Sequence, residues 1–327
     1  DGVTVIHNAA KEPEISQLCH FLNGMGAVIC GMETEHLMVQ GVKRLHDSVW
    51  KIEGDRIVAG TYSTAVMAAG GNISLKEVNT KQMKLQRLLS LTRQALDAYD
   101  MIDPGDKIAV GLSGGKDSLA LLYAMKHLQK FYPKSFDLCA VTVDLGFGNF
   151  DLQAAKIFCQ KLSVPYTVVP TEISQIVFES RQESNPCALC AKMRKGALNK
   201  AAKDLGCNKI AYAHHRDDVI DTMMLSLIYE GRFHTFSPKT YLDRMDLFVI
   251  RPFLYVSEAD IIGFKNRYQL PVCKNPCPVD GKTKREFVKN LIKSINTEAP
   301  GVKDRFFHAV ASGNIPGWPV NENNNRK

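Results

Sequence analysis

A turn at residues 113–118 combines residue types that can hold a polyphosphate. Its sequence is SGGKDS, and it follows a short apolar run, residues 108–112, that is typical of a strand buried on both faces. Gly114 and Gly115 allow the backbone N–H groups to approach a ligand closely. Apolar residues at helical spacing follow, and the start of such a helix adds unpaired N–H donors and a positive dipole end. Strand, tight turn and helix together predict a phosphate-binding turn.

The side chains of this turn supply charge and further hydrogen-bond donors. Lys116 can neutralise phosphate charge, and Asp117 can hold a Mg²⁺ ion that bridges phosphate oxygens. The spacing differs from the G-x-x-x-x-G-K-[ST] of a Walker A loop. The alternative is a glycine-containing turn that binds nothing. We expect a polyphosphate, with Mg²⁺ on Asp117, to be held by Ser113, Gly114, Gly115, Lys116, Asp117 and Ser118.

The surrounding sequence predicts the elements that position this turn. Residues 137–144 form a second buried strand, a helix covers 152–162, and a strand covers 166–169. Strands and helices that alternate in this way imply a parallel sheet with ligands at the carboxyl ends of its strands. Asp144 ends one of these strands, where it could bind ribose hydroxyls or magnesium, or simply end the strand.

A second group of polar residues follows another apolar strand at residues 208–213. His215, Arg216, Asp217 and Asp218 come at the start of the next predicted helix. Arg216 could neutralise an α-phosphate, and His215 could pair with developing charge. Asp217 or Asp218 could hold magnesium, although either could equally be a helix cap. We expect His215, Arg216 and Asp217 to contribute to the same polyphosphate site.

Cysteine spacing points to metal or sulfur chemistry. The chain has nine cysteines, an odd number that argues against a framework of disulfides. Cys187 and Cys190 form a C-x-x-C at the beginning of a predicted helix, where thiolates are stabilised. Cys273 and Cys277 lie in a loop bounded by prolines. A zinc site would usually use two matched C-x-x-C pairs, and the second pair here is C-x-x-x-C.

These motifs together resemble known families. SGGKDS resembles the PP-loop of the ATP pyrophosphatases, which cleave ATP between its α and β phosphates. With PCALCAKMRK, AHHRDDVIDT and VIRPF, it is similar to the tRNA 2-thiocytidine synthetases, over roughly residues 80–320. The resemblance implies a [4Fe-4S] cluster on Cys187, Cys190 and Cys277, with the choice between Cys273 and Cys277 left open. Three protein ligands would leave one iron free to carry sulfide.

The resemblance also implies an activity. The enzyme would adenylate the C2 oxygen of a cytidine in a tRNA anticodon loop and replace that oxygen with sulfur from a cysteine desulfurase. The residues expected to carry this chemistry are Lys116, Asp117, Cys187 and Cys190. Two alternatives remain: thiolation of a tRNA uridine by an enzyme of the same superfamily, and a non-catalytic fusion protein that only binds nucleotide.

The N-terminal residues have a separate, self-contained pattern. HNAAKEPEI and GDRIVAGT resemble one repeat of the enolpyruvyl transferase that acts on UDP-N-acetylglucosamine. Cys19 and Cys30 lie in apolar runs, and we expect both in a core. The fold prediction is therefore α/β: a parallel-sheet PP-loop ATP pyrophosphatase domain of the adenine nucleotide alpha hydrolase-like type at 78–327, preceded by a small α+β enolpyruvyl-transferase-like repeat at 1–77.

Charge is unevenly distributed. Residues 1–77 carry 6 basic and 9 acidic residues, or −3, while the remainder carries 35 and 25, or +10. The positive excess suits a nucleic-acid partner, although ordinary solvated lysines could explain it. No stretch is long enough to span a membrane and no leader is evident, so we expect a cytoplasmic protein whose oligomeric state stays open, a homodimer included. The expected RNA contacts are Arg251, Lys282, Lys284, Arg285 and Lys289.

Overall fold

The structure is a computed structural model that describes most of the chain. The described residues are 2–9, 13–49, 80–148, 152–180, 186–273, 277, 284–313, 315 and 318. The chain divides into two compact units, Asp1–Met83 and Lys84–Lys327.

The described part of the first unit contains a small antiparallel sheet and a helix. Its elements are β1 (Val3–His7), α1 (Pro13–Gly24), β2 (Val28–Cys30) and β3 (His36–Gln40), with strand order β1-β3-β2. Cys19, Ile29 and Leu37 form its core, and burial raises the pKa of the Cys19 thiol. The expectation for Cys30 is wrong, because this side chain is exposed. Cys30 alternates with the buried Ile29 on β2, so it faces the other side of the strand.

The second unit is built on a six-stranded, mostly parallel sheet. Its strands are β4 (Asp106–Gly111), β5 (Phe136–Asp144), β6 (Tyr166–Pro170), β7 (Lys209–Ala211), β8 (Lys239–Leu242) and β9 (Leu247–Ile250). Their order is β6-β5-β4-β7-β9-β8, and β8 alone pairs antiparallel, with β9. The predicted α/β parallel-sheet fold is confirmed.

Helices connect these strands and complete the core. They are α2 (Thr80–Ala98), α3 (Lys116–Leu128), α4 (Leu152–Lys161), α5 (Ile173–Gln175), α6 (Pro186–Asp204), α7 (Arg216–Glu230), α8 (Glu258–Tyr268), α9 (Lys284–Glu298) and α10 (Val302–Ser312). A π-helical stretch, Ile176–Ser180, follows α5. Along β4, Ile108, Ala109 and Val110 are fully buried, as expected for a strand covered on both faces.

The parallel register brings three strand ends to one edge of the sheet. Gly111 at the end of β4 lies opposite Val141 of β5, and Val110 lies opposite Ala211 of β7. The turns that leave β4, β5 and β7 therefore meet there. Within the described residues, no helix combines the length and apolar character needed to cross a membrane.

Candidate active site

The turn between β4 and α3 has the geometry of a phosphate cradle. Gly114 has φ +76°, in the left-handed region that glycine adopts without strain. The hydroxyls of Ser113 and Ser118 lie 3.1 Å apart, and Ser118 Oγ also donates to the carbonyl of Gly115 at 3.1 Å. Gly115 then caps α3 with extended backbone and no side-chain hydrogen bond to the cap. The first N–H groups of α3 therefore lie beside the turn, with the positive end of the helix dipole.

Lys116 lies between two carboxylates at the start of α3. Its Nζ is 3.1 Å from Asp117 and 3.0 Å from Glu258 on α8. Burial lowers the pKa of Lys116, but the charges of Asp117 and Glu258 outweigh this effect, and the pKa is raised overall. Lys116 is therefore a firmly protonated cation beside the turn, with its charge shared by two acidic groups.

A cavity of about 370 Å³ opens where the strand ends meet. Its lining includes Ser113, Gly115, Asp117 and Ser118 from the turn, Asp144 and Phe147 after β5, Arg194 and Lys195 from α6, Tyr212 and His214 after β7, Asp218 from α7, and Cys273. The structure thus brings Asp144 and four residues of the predicted turn to one cavity. This volume and mixed polarity suit a nucleotide.

Asp144 is anchored by the chain that follows it. Gly146 donates its N–H to Asp144 Oδ1 at 3.0 Å, and Thr171 Oγ1 donates to the Asp144 carbonyl at 2.7 Å. Gly146 has φ +83°, and a Cβ there would lie 2.7 Å from the Thr171 carbonyl oxygen. The loop after β5 can therefore follow this path only with glycine at position 146.

The residues of the predicted polar group at the start of α7 differ in their relation to the cavity: one lines it, and the others contact neighbouring side chains or cap the helix. His215 caps the helix, accepting from the Asp218 N–H at 3.4 Å, and its Nε2 lies 3.8 Å from Asp117. Arg216 donates to Asp304 at 2.6 Å. Asp218 is therefore the member of this group that lines the cavity, and His215 adjoins it through Asp117.

Asp217 is buried and fully engaged. It accepts from the backbone N–H of Glu258 at 2.8 Å and from Lys303 Nζ at 2.7 Å. Burial raises the pKa of Asp217, but these two hydrogen bonds and the charge of Lys303 lower it overall. Asp217 ties α7 to α8 and α10 behind the cavity, and it does not line the cavity.

The cavity has a basic wall that sequence reasoning did not identify. Arg194 and Lys195 lie within two turns after Cys190 on α6. The pKa of Lys195 is lowered by burial and by the charges of Arg251 and Arg194. The available signal was the position of Arg194, because residues four positions apart, such as Cys190 and Arg194, share a helix face.

His214 and Arg251 lie together beside this wall. Burial and the charge of Arg251 lower the pKa of His214 to about 4, so its imidazole is neutral near pH 7. Arg251, expected at an RNA surface, is largely buried: it donates to the Ser237 carbonyl and lies over the Phe236 ring, 5.0 Å from its centroid. Its burial lowers its pKa to about 10.

The cysteines are placed close to this cavity. Cys187 lies on the first turn of α6, near the helix N-terminus, and Cys190 begins the second turn. The pKa of Cys190 is raised by burial, lowered by Arg194, and raised again by the Cys277 and Cys187 thiols, so these three thiols interact electrostatically. Cys273 lines the cavity, and its N–H donates to the Gly114 carbonyl at 3.0 Å.

The donor set suits an iron–sulfur cluster in chemistry. Thiolates are the ligands that such clusters use, and the cation of Arg194 opposes the negative charge that they would gather. Within the part of the chain that the structure describes, no three His, Cys, Asp or Glu side chains are already arranged as a metal site. Cys187, Cys190 and Cys277 would be the residues that hold the cluster.

The basic helix α9 lies against α7. Arg285 donates to Asp218 Oδ1 at 3.2 Å and to Thr222 at 3.3 Å, and Lys289 lies 3.7 Å from Glu258. Lys284 Nζ lies 4.4 Å from the centroid of the Tyr229 ring. Lys282, also expected at the RNA surface, falls outside the described residues.

Comparison with known protein families gives two matches. The model of the PP-loop domain family matches residues 79–295. The model of EPSP synthase (3-phosphoshikimate 1-carboxyvinyltransferase) matches residues 1–97. This family, like the one that the N-terminal motifs resemble, consists of carboxyvinyl transferases.

Several curated relatives share one name. The tRNA-cytidine(32) 2-sulfurtransferase of Pelobacter propionicus is 34% identical, over 75% of this chain and 93% of the relative. That of Anaeromyxobacter sp. (strain K) is 34% identical over 69% of this chain and 78% of its own. The enzyme of that name from Neisseria meningitidis serogroup C is 36% identical over 69% of this chain and 71% of the relative.

Among solved structures, the U34-tRNA thiolase NcsA from Methanococcus maripaludis with its [4Fe-4S] cluster is similar in fold. Its TM-score is 0.58 at 24% sequence identity, and the match covers 70% of this chain and 78% of that one.

Proposed function

The chain belongs to the PP-loop family and is a tRNA sulfurtransferase, and from that premise we propose that it adenylates the C2 oxygen of an anticodon-loop cytidine and replaces this oxygen with sulfur. ATP and Mg²⁺ follow from the PP-loop domain, and the cytidine follows from the names of the relatives. The finer steps depend on the geometry of the cavity.

The observation that carries the proposal is that residues of the phosphate turn and Cys273 of the second cysteine pair line one cavity. Ser113, Gly115 and Ser118 line one part of it, and Cys273 and Arg194 line another. A nucleotide held by the turn would therefore lie in the cavity that Cys273 and Arg194 also line. ATP activation and sulfur transfer can then act on the same base without moving it through solvent.

ATP binding uses the turn and the acidic residues beside it. Backbone N–H groups and the hydroxyls of Ser113 and Ser118 would contact phosphate oxygens, and Asp117 would hold Mg²⁺. Lys116 would turn from Glu258 and Asp117 towards the phosphates, a short movement for a long side chain. Asp144, at the β5 end of the cavity, is placed for the ribose.

The reaction then needs two displacements. The C2 oxygen of the cytidine attacks the α-phosphorus and pyrophosphate leaves, with its charge balanced by Lys116 and Mg²⁺. Sulfide adds at C2, and AMP carries the oxygen away. Arg194 and Lys195 would stabilise the negative charge that develops at the base and on the departing phosphate. His214, neutral near pH 7, can donate or accept a hydrogen bond beside them.

A [4Fe-4S] cluster on Cys187, Cys190 and Cys277, when bound, would supply an iron with an open position that can carry sulfide. A cysteine desulfurase would supply the sulfur. The protein itself contributes a helix N-terminus and the cation of Arg194, which both favour thiolate, against the burial that raises the pKa of Cys190 overall.

The experiment compares tRNA nucleosides by mass spectrometry from cells with the gene, without it, and with Cys187→Ser. We expect 2-thiocytidine to disappear in the last two and to return with the intact gene. Cys159→Ala is a matched control, because this thiol is buried in α4, where burial raises its pKa to about 11. Normal 2-thiocytidine with Cys187→Ser would refute the proposal, and a loss of 2-thiouridine instead would favour the uridine alternative.

A further inference from the structure

Three aromatic rings lie exposed where the end of α7 meets the start of α9. Tyr229 is 46% exposed, Phe233 is 46% exposed and Phe287 is 56% exposed. We call these three residues the aromatic patch. Leu227 and Ile228, just before Tyr229, are exposed as well. Folded proteins seldom leave so many large apolar side chains close together in water without a partner.

The aromatic patch is surrounded mainly by cations. Lys284 already lies over the face of Tyr229, 4.4 Å from the ring centroid, and Phe287 comes one helical turn after Lys284 on the same side of α9. Arg285 and Arg232 are also nearby along the chain. The acidic neighbours are Glu230, which lies 3.5 Å from Arg232, and Glu286. Basic side chains interleaved with rings are the combination that binds unpaired nucleotides.

The aromatic patch is connected to the cavity by α7. Asp218 lines the cavity near one end of this helix, and Tyr229 lies 11 residues further along it. At about 1.5 Å per residue, the two positions are separated by roughly 16 Å. A few nucleotides can span that distance. Arg285 contacts Asp218 itself, so α9 also extends from the patch to the edge of the cavity.

We propose that the aromatic patch stacks unpaired bases of the RNA substrate that flank the target base, while the target base enters the cavity. The inference deepens the proposed function, on which its choice of tRNA rests. Sequence-specific proteins bind single-stranded RNA loops by stacking splayed bases on aromatic rings, and the phosphates between the bases would meet Lys284, Arg285 and Arg232. Phosphate contacts alone would leave the three exposed rings without a role.

A second copy of this chain is the competing occupant. A two-fold dimer would place each aromatic patch against its own copy and would bring the same cations face to face. A polyanion removes this repulsion, so the charge of the surface favours RNA.

The test measures binding of an anticodon stem–loop RNA to the full chain by fluorescence anisotropy at one fixed salt concentration, without ATP. The variant Tyr229→Leu/Phe287→Leu keeps apolar side chains but removes two rings. We expect its Kd to rise roughly 5- to 150-fold for each stacked base that is lost. Tyr229→Phe should bind as the unmodified protein does. Phe131→Leu is the matched control, because Phe131 is 55% exposed just after α3, at the other end of the sheet.

The outcomes separate this inference from the proposed function. An unchanged Kd in the double variant would overturn the inference, and a change in sedimentation with an unchanged Kd would assign the aromatic patch to a dimer. The inference would also be overturned if the double variant lost affinity for a fully paired RNA of the same length by the same factor as for the stem–loop. The double variant could bind the stem–loop less tightly even though the unmodified protein makes no 2-thiocytidine. That result would support stacking on the aromatic patch and would refute the proposed reaction.

Discussion

The backbone N–H of Cys273 donates to the carbonyl oxygen of Gly114 at 3.0 Å. This hydrogen bond joins the loop of the second cysteine pair directly to the phosphate turn, although the two are distant in sequence. Because the bond involves main-chain atoms, it holds the backbone at position 273 beside the turn whatever side chain stands there. The phosphate turn and Cys273 are therefore parts of one local structure.

Gly114 should tolerate no side chain, while its neighbour should. Gly114 has φ +76°, where a residue with a Cβ costs about 1–2 kcal/mol, whereas Gly115 has φ −77° and its Cβ would lie an ordinary 3.5 Å from Ser113 Oγ. We expect Gly114→Ala to lower the free energy of unfolding by about that amount and Gly115→Ala to leave it nearly unchanged. Urea unfolding without nucleotide checks this. Equal losses in the two variants would contradict the assigned backbone strain.

The third cluster ligand should be Cys277. The pKa of Cys190 responds to Cys277 and Cys187, whereas Cys273 acts on the pKa of Tyr166 on β6. We expect Cys277→Ser to lose iron and acid-labile sulfide in anaerobically purified protein, and Cys273→Ser to keep most of both. The reverse pattern would move the ligand to position 273.

The sequence was sufficient to predict the elements that form the cavity. Continuous apolar runs predicted β4 and β5, and the SGGKDS turn and the C-x-x-C were placed at helix N-termini, where the structure has them. These features are local. Each depends on backbone conformation, burial and spacing within about ten residues, which periodicity and glycine positions report directly.

Partners that come from distant helices could not be predicted. We expect Arg216 and Asp217 to contact ATP, and in the structure Asp304 and Lys303 of α10 form ion pairs with them. Periodicity shows which face of a helix is apolar, but it does not show which charged residue of another helix will lie opposite a given side chain. The contact of Arg216 and Asp217 with bound ATP stays a prediction.

Lys116 should act mainly through its charge on bound phosphate. We expect Lys116→Met to weaken ATP binding roughly 10- to 150-fold, the range for losing one charge-assisted hydrogen bond. Isothermal titration with Mg-ATP measures this. Lys126→Met is the matched control, because Lys126 lies on the same helix and contacts Gln129 near its other end. Equal effects of the two variants would exclude a specific role for Lys116.

Asp221 should make stability depend on pH. Burial raises the pKa of this carboxyl to about 7, well above its ordinary value of 3.8. The folded protein therefore binds a proton that the unfolded chain releases between about pH 4 and pH 7, so stability falls as pH rises through this range. Asp221→Asn should remove this fall. Between pH 5 and pH 8 its free energy of unfolding should exceed that of the unmodified protein by roughly 2–4 kcal/mol. Asp137→Asn is the control, because Asp137 is exposed. If the stability of Asp221→Asn and that of the unmodified protein changed with pH in parallel, the raised pKa of Asp221 would be contradicted.

The buried lysine at the opposite end of the sheet should be important for stability. Lys209, at the start of β7, is 1% exposed, and its Nζ lies 2.6 Å from Asp106 and 2.7 Å from Asp103. Nζ also donates to the Met101 carbonyl at 3.0 Å. Lys209→Met would leave the buried Asp106 carboxylate without its cation, which should lower the free energy of unfolding by about 3–5 kcal/mol.

A surface ion pair provides the comparison for Lys209. Lys203 and Asp246 are 47% and 75% exposed and lie 3.1 Å apart, so Lys203→Met should cost less than about 1 kcal/mol in urea unfolding. Both lysines lie away from the carboxyl ends of the strands, so Mg-ATP affinity of the folded fraction should stay unchanged in either variant. A loss with Lys209→Met no larger than that with Lys203→Met would mean that water, rather than Lys209, compensates the charge of Asp106.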